Sequence, residues 1–203
     1  MSGIKSVLTT DEIGAFGGAL DDLALKLGRD TVFTSRQAAA AIEELIKAGV
    51  PVTAVLEGAG AAALNLASAT GVTTAEAATI AAQAMNTFGL QAGDLTAVVD
   101  RLSSVANASA SDVSFLRFGL AAVGGVAAGV GLSFNDTAVA LGLLSNRFAT
   151  GSDAGTSFKA FLNGLIPDSK KQISLFKQLG LLTEQGGNAF FNEAGQLRNL
   201  EQI

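Results

Sequence analysis

Glycine punctuates this chain on a regular beat. Gly49-Val50, Gly71-Val72, Gly89-Leu90, Gly131-Leu132 and Gly180-Leu181 each place a glycine and an aliphatic residue after an apolar-periodic stretch. Lacking a Cβ, glycine enters the left-handed region that ends a helix, and the aliphatic side chain after it folds back on the last turn. Prolines are only two, Pro51 and Pro167, each just past an expected helix end, where a first helical turn tolerates them. Start signals alternate with the stops. Thr34-x-x-Gln37, Thr73-x-x-Glu76, Ser109-x-x-Asp112 and Ser133-x-x-Asp136 set a hydroxyl three residues before an acid or amide. Such a hydroxyl accepts from free backbone N–H groups, and the acids suit the positive end of the helix dipole. Stops and starts recur about every 20 residues, so the unit is one helix plus one turn, a repeat of shape rather than of sequence.

Hydrophobic periodicity agrees. Leu95, Val98, Val99, Leu102 and Val105 share one helical face, as do Ala77, Ile80, Ala81, Ala84 and Phe88. The pattern predicts helices over 10–27, 34–48, 52–70, 74–88, 92–106, 110–130, 134–149, 153–165 and 168–180. The expected fold is all-α: an array of short antiparallel helices joined by Gly-containing turns, in one domain with a division into two lobes near residue 108. The helix over 110–130 is apolar on nearly every side and is expected to be central and buried, with Gly125-x-x-x-Gly129 as a close-packing pair. Near the C-terminus, Ala189 to Leu197 alternates briefly around Asn192-Glu193-Ala194-Gly195, which reads either as a small β-hairpin or as an irregular loop.

Composition narrows the function classes. Charged residues are 15% of the chain, against a usual share of about 25%. Alanine and glycine dominate the apolar residues, all aromatics are Phe, and mean hydropathy is +0.42. A chain with so little surface charge is expected to live inside an assembly. Net charge is −5 and the basic residues do not cluster beyond Lys170-Lys171, which argues against specific nucleic-acid binding. With neither Cys nor His, disulfides, thiolate nucleophiles and zinc sites are not expected. The N-terminus shows no signal-peptide pattern. The most apolar run, Phe118 to Leu132, is about 15 residues, short of the roughly 20 a spanning helix needs, and holds five glycines.

No motif carries chemistry. Ser174-x-x-Lys177 matches one element of penicillin-recognising enzymes, but the Ser-Asp-Asn and Lys-Thr-Gly elements are absent, and an exposed helix face explains it. Gly58-x-Gly60-x-x-Ala63 imitates a dinucleotide fingerprint without the preceding strand, inside an Ala-rich helical stretch where small residues serve packing. Carboxylates are scattered, and Glu43-Glu44 beside Lys47 is ordinary intrahelical pairing. Gly151 to Ser157 is the most polar stretch, expected to be an inter-helix loop with an N-cap, or else a contact site for an assembly partner. No catalytic, cofactor-binding or metal-binding residue is assigned, and no cofactor is expected.

An ordered set of segments resembles a known family. It comprises Phe33-Thr34-Ser35-Arg36-Gln37-Ala38-Ala39 running on to Val50, Leu64 to Gly71, Met85 to Leu90, Val99 to Leu102 with the Ala-Asn-Ala-Ser-Ala-Ser-Asp after it, Gly151 to Lys159, and Phe190 to Gly195. From about residue 30 to 203, the set resembles the core region of bacteriophage tail tape measure proteins of the minor tail protein type. The resemblance implies a structural, non-enzymatic protein in the lumen of the virion tail tube and, during assembly, in the host cytoplasm. Tail tube subunits polymerise around such a protein, and tail length follows tape length. Tail assembly chaperones and tail-tip proteins are the implied partners, with several copies in one tail and, in some members, contact with the host membrane. Wall-degrading activity, where members have it, sits in separate domains.

The resemblance divides the chain into a lead-in at 1–30, a core helical domain at 31–183, and a hairpin or loop at 184–203 leading to a missing C-terminal part. A ruler should be extended helix at about 1.5 Å per residue. A chain with this many stops is instead expected to be the folded anchoring or nucleating core of such a protein, and one continuous helix across 71–131 would refute that. Two rival readings are a membrane-active segment that inserts during DNA ejection, supported only by Phe118 to Leu132, and a generic helical scaffold.

Overall fold

All five glycine stops lie where the pattern sets them. The computed structural model describes residues 2–183 and 186–198. Gly49, Gly71, Gly89, Gly131 and Gly180 have φ of 85, 73, 66, 79 and 71°. At Gly131 the Gly131 N–H donates to Ala128 O (3.0 Å) and the Leu132 N–H to Ala127 O (2.9 Å), the paired bonds of a Schellman stop; Gly49 and Gly180 repeat them. Gly71 uses a simpler form, its own N–H donating to Ala67 O at 2.9 Å.

The starts follow the sequence at three of four places. Thr34 Oγ1 accepts from the Gln37 N–H (3.3 Å) while Gln37 Oε1 accepts from the Thr34 N–H (2.9 Å), a closed capping box. Thr73 and Glu76 make the same box. Ser133 caps by accepting from the Asp136 N–H at 3.1 Å, and the Asp136 carboxylate accepts from the Ser133 hydroxyl (2.6 Å) instead of from the Ser133 backbone N–H. Ser109 is not a cap. Its hydroxyl donates to Val105 O (2.7 Å) and closes the end of the preceding helix, so Asp112 caps the next one, accepting from the Phe115 N–H at 2.6 Å. Thr9-Glu12 and Ser169-Gln172 form further boxes that the sequence reading passed over.

Eleven α-helices result among the described residues: α1 (Ser2–Ser6), α2 (Thr10–Asp30), α3 (Ser35–Lys47), α4 (Val52–Ala54), α5 (Gly60–Thr70), α6 (Thr74–Phe88), α7 (Leu95–Ala108), α8 (Val113–Gly129), α9 (Phe134–Leu144), α10 (Gly151–Gly164) and α11 (Lys170–Gln178). The fold is all-α, with no strand among the described residues. The helix expected over 52–70 is broken. A π-helical turn, Val55–Ala59, carries Gly58 at φ 149°, a conformation that L side chains rarely adopt. Gly60 does serve packing, facing Leu23 and Ile42. Between 71 and 131 the chain makes three separate helices, and the axis turns through 115° at the break between α7 and α8.

Alanine fills much of the first half of the core. Ala38 and Ala41 on α3, Ala62, Ala63 and Ala67 on α5, and Ala77, Ala78, Ala81, Ala82 and Ala84 on α6 are buried. Leucine and isoleucine supply the larger volumes: Leu20, Ile42, Leu45, Leu64, Leu66, Ile80, Leu95, Leu102, Leu116, Leu141 and Leu162 are sealed from solvent. Each such side chain stabilises the fold by roughly 1.5–3 kcal/mol before entropy is counted. Polar cross-ties register the layers. Asn86 Nδ2 donates to Ala48 O (2.8 Å), joining α6 to the end of α3, and Arg101 Nε donates to Asn135 Oδ1 (3.3 Å), joining α7 to α9.

Helix α8 departs from its expectation. Its Val113, Leu116, Gly119, Leu120, Val123, Gly124 and Ala127 are buried, but Phe118, Ala121, Gly125 and Gly129 face solvent. Gly125 and Gly129 are therefore not the packing pair, and a Cβ at either would meet nothing within 4 Å. The close approach is made by Gly151 and Gly155 of α10 against Phe115, Gly119 and Ala122 of α8. The C-terminal segment is neither a hairpin ladder nor unpaired. Single antiparallel bridges join Leu182 to Asn188 and Phe191 to Leu197, the second around the expected Asn-Glu-Ala-Gly turn. The Leu197 N–H donates to Val130 O at 2.7 Å and docks this segment on the end of α8.

Candidate docking surface

The stretch from Gly151 to Ser157 is the first half of α10, not a loop. Thr150 caps it, accepting from the Asp153 N–H at 3.2 Å and donating to Asp153 Oδ2 at 2.8 Å. Gly151 and Gly155, one helical turn apart, lie on the face turned to α8. A Cβ on Gly151 would overlap Phe115 O, and one on Gly155 would overlap Gly119 O and come within 2.8 Å of the Ala122 Cβ. Backbone thus packs on backbone, which only glycine permits. The polar composition of this stretch reflects that contact and the cap.

Locking the glycine face of α10 inward leaves another face beside α9. There Ala140, Leu143 and Leu144 of α9, Phe148 of the connection, and Ser157, Phe158 and Phe161 of α10 line a cleft of about 400 Å³. Its walls carry no charged side chain, and Ser157 is the sole polar residue in the set. Leu143 is 71% exposed and Phe161 59%, while Phe158 stacks on Phe161 with ring centroids 6.4 Å apart. Arg147 and Lys159 stand nearby in sequence, both exposed and in no ion pair among the described residues.

A second cleft, about 470 Å³, is lined by Ser109, Ser111, Ser114, Asp112 and Thr150 together with Phe115 and Phe118. Hydroxyls of Ser109 and Thr150, and the Asp112 carboxylate, are engaged in ending or starting helices there. The motifs singled out in the sequence do not converge on either cleft. Ser174 and Lys177 are both exposed on α11. Gly58 makes the kink before α5. Lys47 pairs with Glu43 (2.6 Å) and Glu44 (3.1 Å) as intrahelical spacing requires, and these carboxylates, Glu43 the more strongly, hold the Lys47 ammonium above its ordinary pKa.

Glu12 is perturbed in the opposite direction. The Thr9 backbone N–H, then the Thr9 hydroxyl, hold its carboxyl below the ordinary carboxylate range, against a smaller upward push from burial. A value lower in the folded than in the unfolded chain means the cap stabilises above the unfolded pKa and fades as pH falls through the folded one. Thr9→Ala removes the hydroxyl and leaves the backbone N–H. NMR titration of the Glu12 carboxyl is therefore expected to show its midpoint rising part of the way to the ordinary value. An unmoved midpoint would mean that the hydroxyl contributes nothing.

Comparison with known proteins places the chain. The profile of the phage-related minor tail protein family matches residues 21–203, starting within α2. The tape measure protein of Pneumococcus phage Dp-1 is 27% identical over 183 residues, covering 89% of this chain and 16% of that protein. The probable tape measure protein of Escherichia phage P2 is 31% identical over 182 residues, covering 90% of this chain and 22% of that protein. The chain thus spans about a fifth of the length of these relatives, and no solved structure matches it. With nine-tenths of its length matched to one profile, this chain belongs to the phage-related minor tail protein family.

Proposed function

We propose that this chain is the folded anchoring segment of a tape measure protein, a structural unit from which tail tube assembly starts, while the extended ruler lies elsewhere in a longer polypeptide. The observation that carries this reading is the compaction of the backbone. The longest helix, α2, has 21 residues and reaches about 30 Å, whereas the whole chain as one helix would reach roughly 300 Å. The relatives bear the name tape measure protein, and this chain corresponds to only a small part of each. Tail tube subunits, tail assembly chaperones and tail-tip proteins are the partners such a segment would meet, in the tube lumen and beforehand in the host cytoplasm. The role is architectural and needs no catalytic residue.

A membrane-inserting role has weaker support. Helix α8, which holds most of the apolar run, has 17 residues and buries one face in the fold. The stretch Val52–Thr70 has the length and composition to cross a membrane, but it is bent at Gly58 and half buried. Electron microscopy of particles whose tape measure gene lacks codons 34–180 in frame tests the anchoring role. Tails are expected to be absent or never to start. Tails that form but shorten in proportion to the deletion would make the segment part of the ruler and overturn the anchoring role.

A further inference from the structure

We propose that Asn163-Gly164, at the end of α10, is a self-modification site: the Gly164 amide nitrogen closes on the Asn163 side chain, and the succinimide so formed is hydrolysed to isoaspartate and aspartate. Of the nine asparagines in the chain, Asn163 is the one followed by glycine. In the first step the Gly164 nitrogen bonds to Asn163 Cγ, the Cγ–Nδ2 bond breaks, and the side-chain amide leaves as ammonia with the Gly164 proton. Water then opens the ring. Attack at Cγ gives aspartate, and attack at the main-chain carbonyl gives isoaspartate, whose backbone runs through the former side chain. Glycine favours the closure because a Cβ on the following residue would crowd the attacking nitrogen and restrict rotation into the ring geometry.

The place of the pair in the fold meets the needs of the reaction. Asn163 is exposed, and a Cβ on Gly164 would meet nothing within 4 Å, so no neighbour crowds this turn. A helix interior blocks closure, because the nitrogen's proton is bonded and helical geometry holds it away from Cγ. The last turn is where a helix opens at least cost. Past Asn163 the hydrogen bonds have already tightened, the Leu165 N–H donating to Leu162 O (3.2 Å) and the Ile166 N–H to Asn163 O (3.1 Å). The side chains of Asn86, Asn135, Asn188 and Asn192 are instead engaged in hydrogen bonds. Asn107 is the internal comparison. It is exposed and next to last in α7, as Asn163 is in α10, but Ala108 follows it.

The products act on the tie between α10 and the C-terminal segment. Leu165 O, two residues past the modified one, accepts from Asn188 Nδ2 at 2.8 Å. Isoaspartate lengthens the main chain by one carbon beside that carbonyl. Either product also sets a carboxylate at the negative end of the α10 dipole, close in sequence to Asp168. The segment around Asn188 is thereby loosened as the chain ages, an irreversible change timed by chemistry and not by a partner.

The test incubates the purified 203-residue chain in mildly alkaline buffer and does not rest on the tail-assembly reading. Tryptic mapping and methylation by an isoaspartyl methyltransferase read the products. The peptide 160–170 is expected to convert first, with isoaspartate in excess, while the peptide holding Asn107 keeps its amide. Gly164→Ala, whose Cβ has room, is expected to keep the fold and slow Asn163 to the pace of Asn107. Hydrogen exchange over residues 186–198 is expected to rise with conversion in the native chain and to stay flat in the variant. Conversion no faster than at Asn107, or undiminished in Gly164→Ala, overturns the site. Conversion without a rise in exchange overturns the loosening of the C-terminal segment. Each result leaves the anchoring role to be decided by the tail deletion alone.

Discussion

Gly155→Leu is expected to prise α10 from α8 and destabilise the chain by at least about 3 kcal/mol. The substituted side chain would start where the Gly119 carbonyl oxygen and the Ala122 methyl already stand, and the first of these is backbone that cannot rotate away. Separating the helices would also expose Ala154 and Leu162, both sealed in the native fold. Gly125→Ala on α8 is the matched comparison. Its Cβ meets nothing within 4 Å and its φ is negative, so the replacement is expected to stabilise by about 0.5–1 kcal/mol through helix propensity and a less flexible unfolded chain. Urea unfolding followed by far-UV circular dichroism measures both. Similar midpoints for the two variants would mean that α10 does not pack on α8 as described.

That pair of glycines shows where sequence reading reaches and where it stops. Helix ends were legible because their cause is local: a glycine such as Gly131 takes φ of 79° whatever lies across from it, and Thr34 finds Gln37 three residues away. The packing glycines were not legible. Gly119, Gly124, Gly125 and Gly129 all lie on α8, and only the position of other helices selects Gly119 and Gly124 for contact and leaves Gly125 and Gly129 in solvent. Gly151 and Gly155 were obscured by composition, since Gly-Ser-Asp-Ala-Gly-Thr-Ser lacks apolar periodicity and resembles a loop. Close backbone packing offsets the poor helix propensity of glycine there. Ser109 failed as a cap for a related reason: one hydroxyl had two local uses, and closing α7 won. The cleft was hidden more deeply, because Leu143 and Phe161 have the chemistry of core residues and only the finished fold exposes them.

A second substitution is expected to change sign with its background. Leu141 on α9 is fully buried, and its two terminal methyls lie 2.7 and 2.9 Å from where a Cβ on Gly119 would sit. In the native chain, Gly119→Ala forces those methyls aside, and the overpacking outweighs the gain in helix propensity, for a net loss of about 1–2 kcal/mol. Leu141→Ala alone leaves a cavity against α8 and is expected to cost about 3 kcal/mol. In that cavity the methyl of Gly119→Ala has room on the Leu141 side. On its other side it still meets Gly151 O at 3.3 Å, so relief is partial and the substitution is expected to stabilise by about 1 kcal/mol. A double-mutant cycle from urea unfolding reads the reversal directly. Were Gly119→Ala to cost the same in both backgrounds, the limiting contact would be the Gly151 carbonyl, and the tight three-helix junction of α8, α9 and α10 would rest on backbone alone.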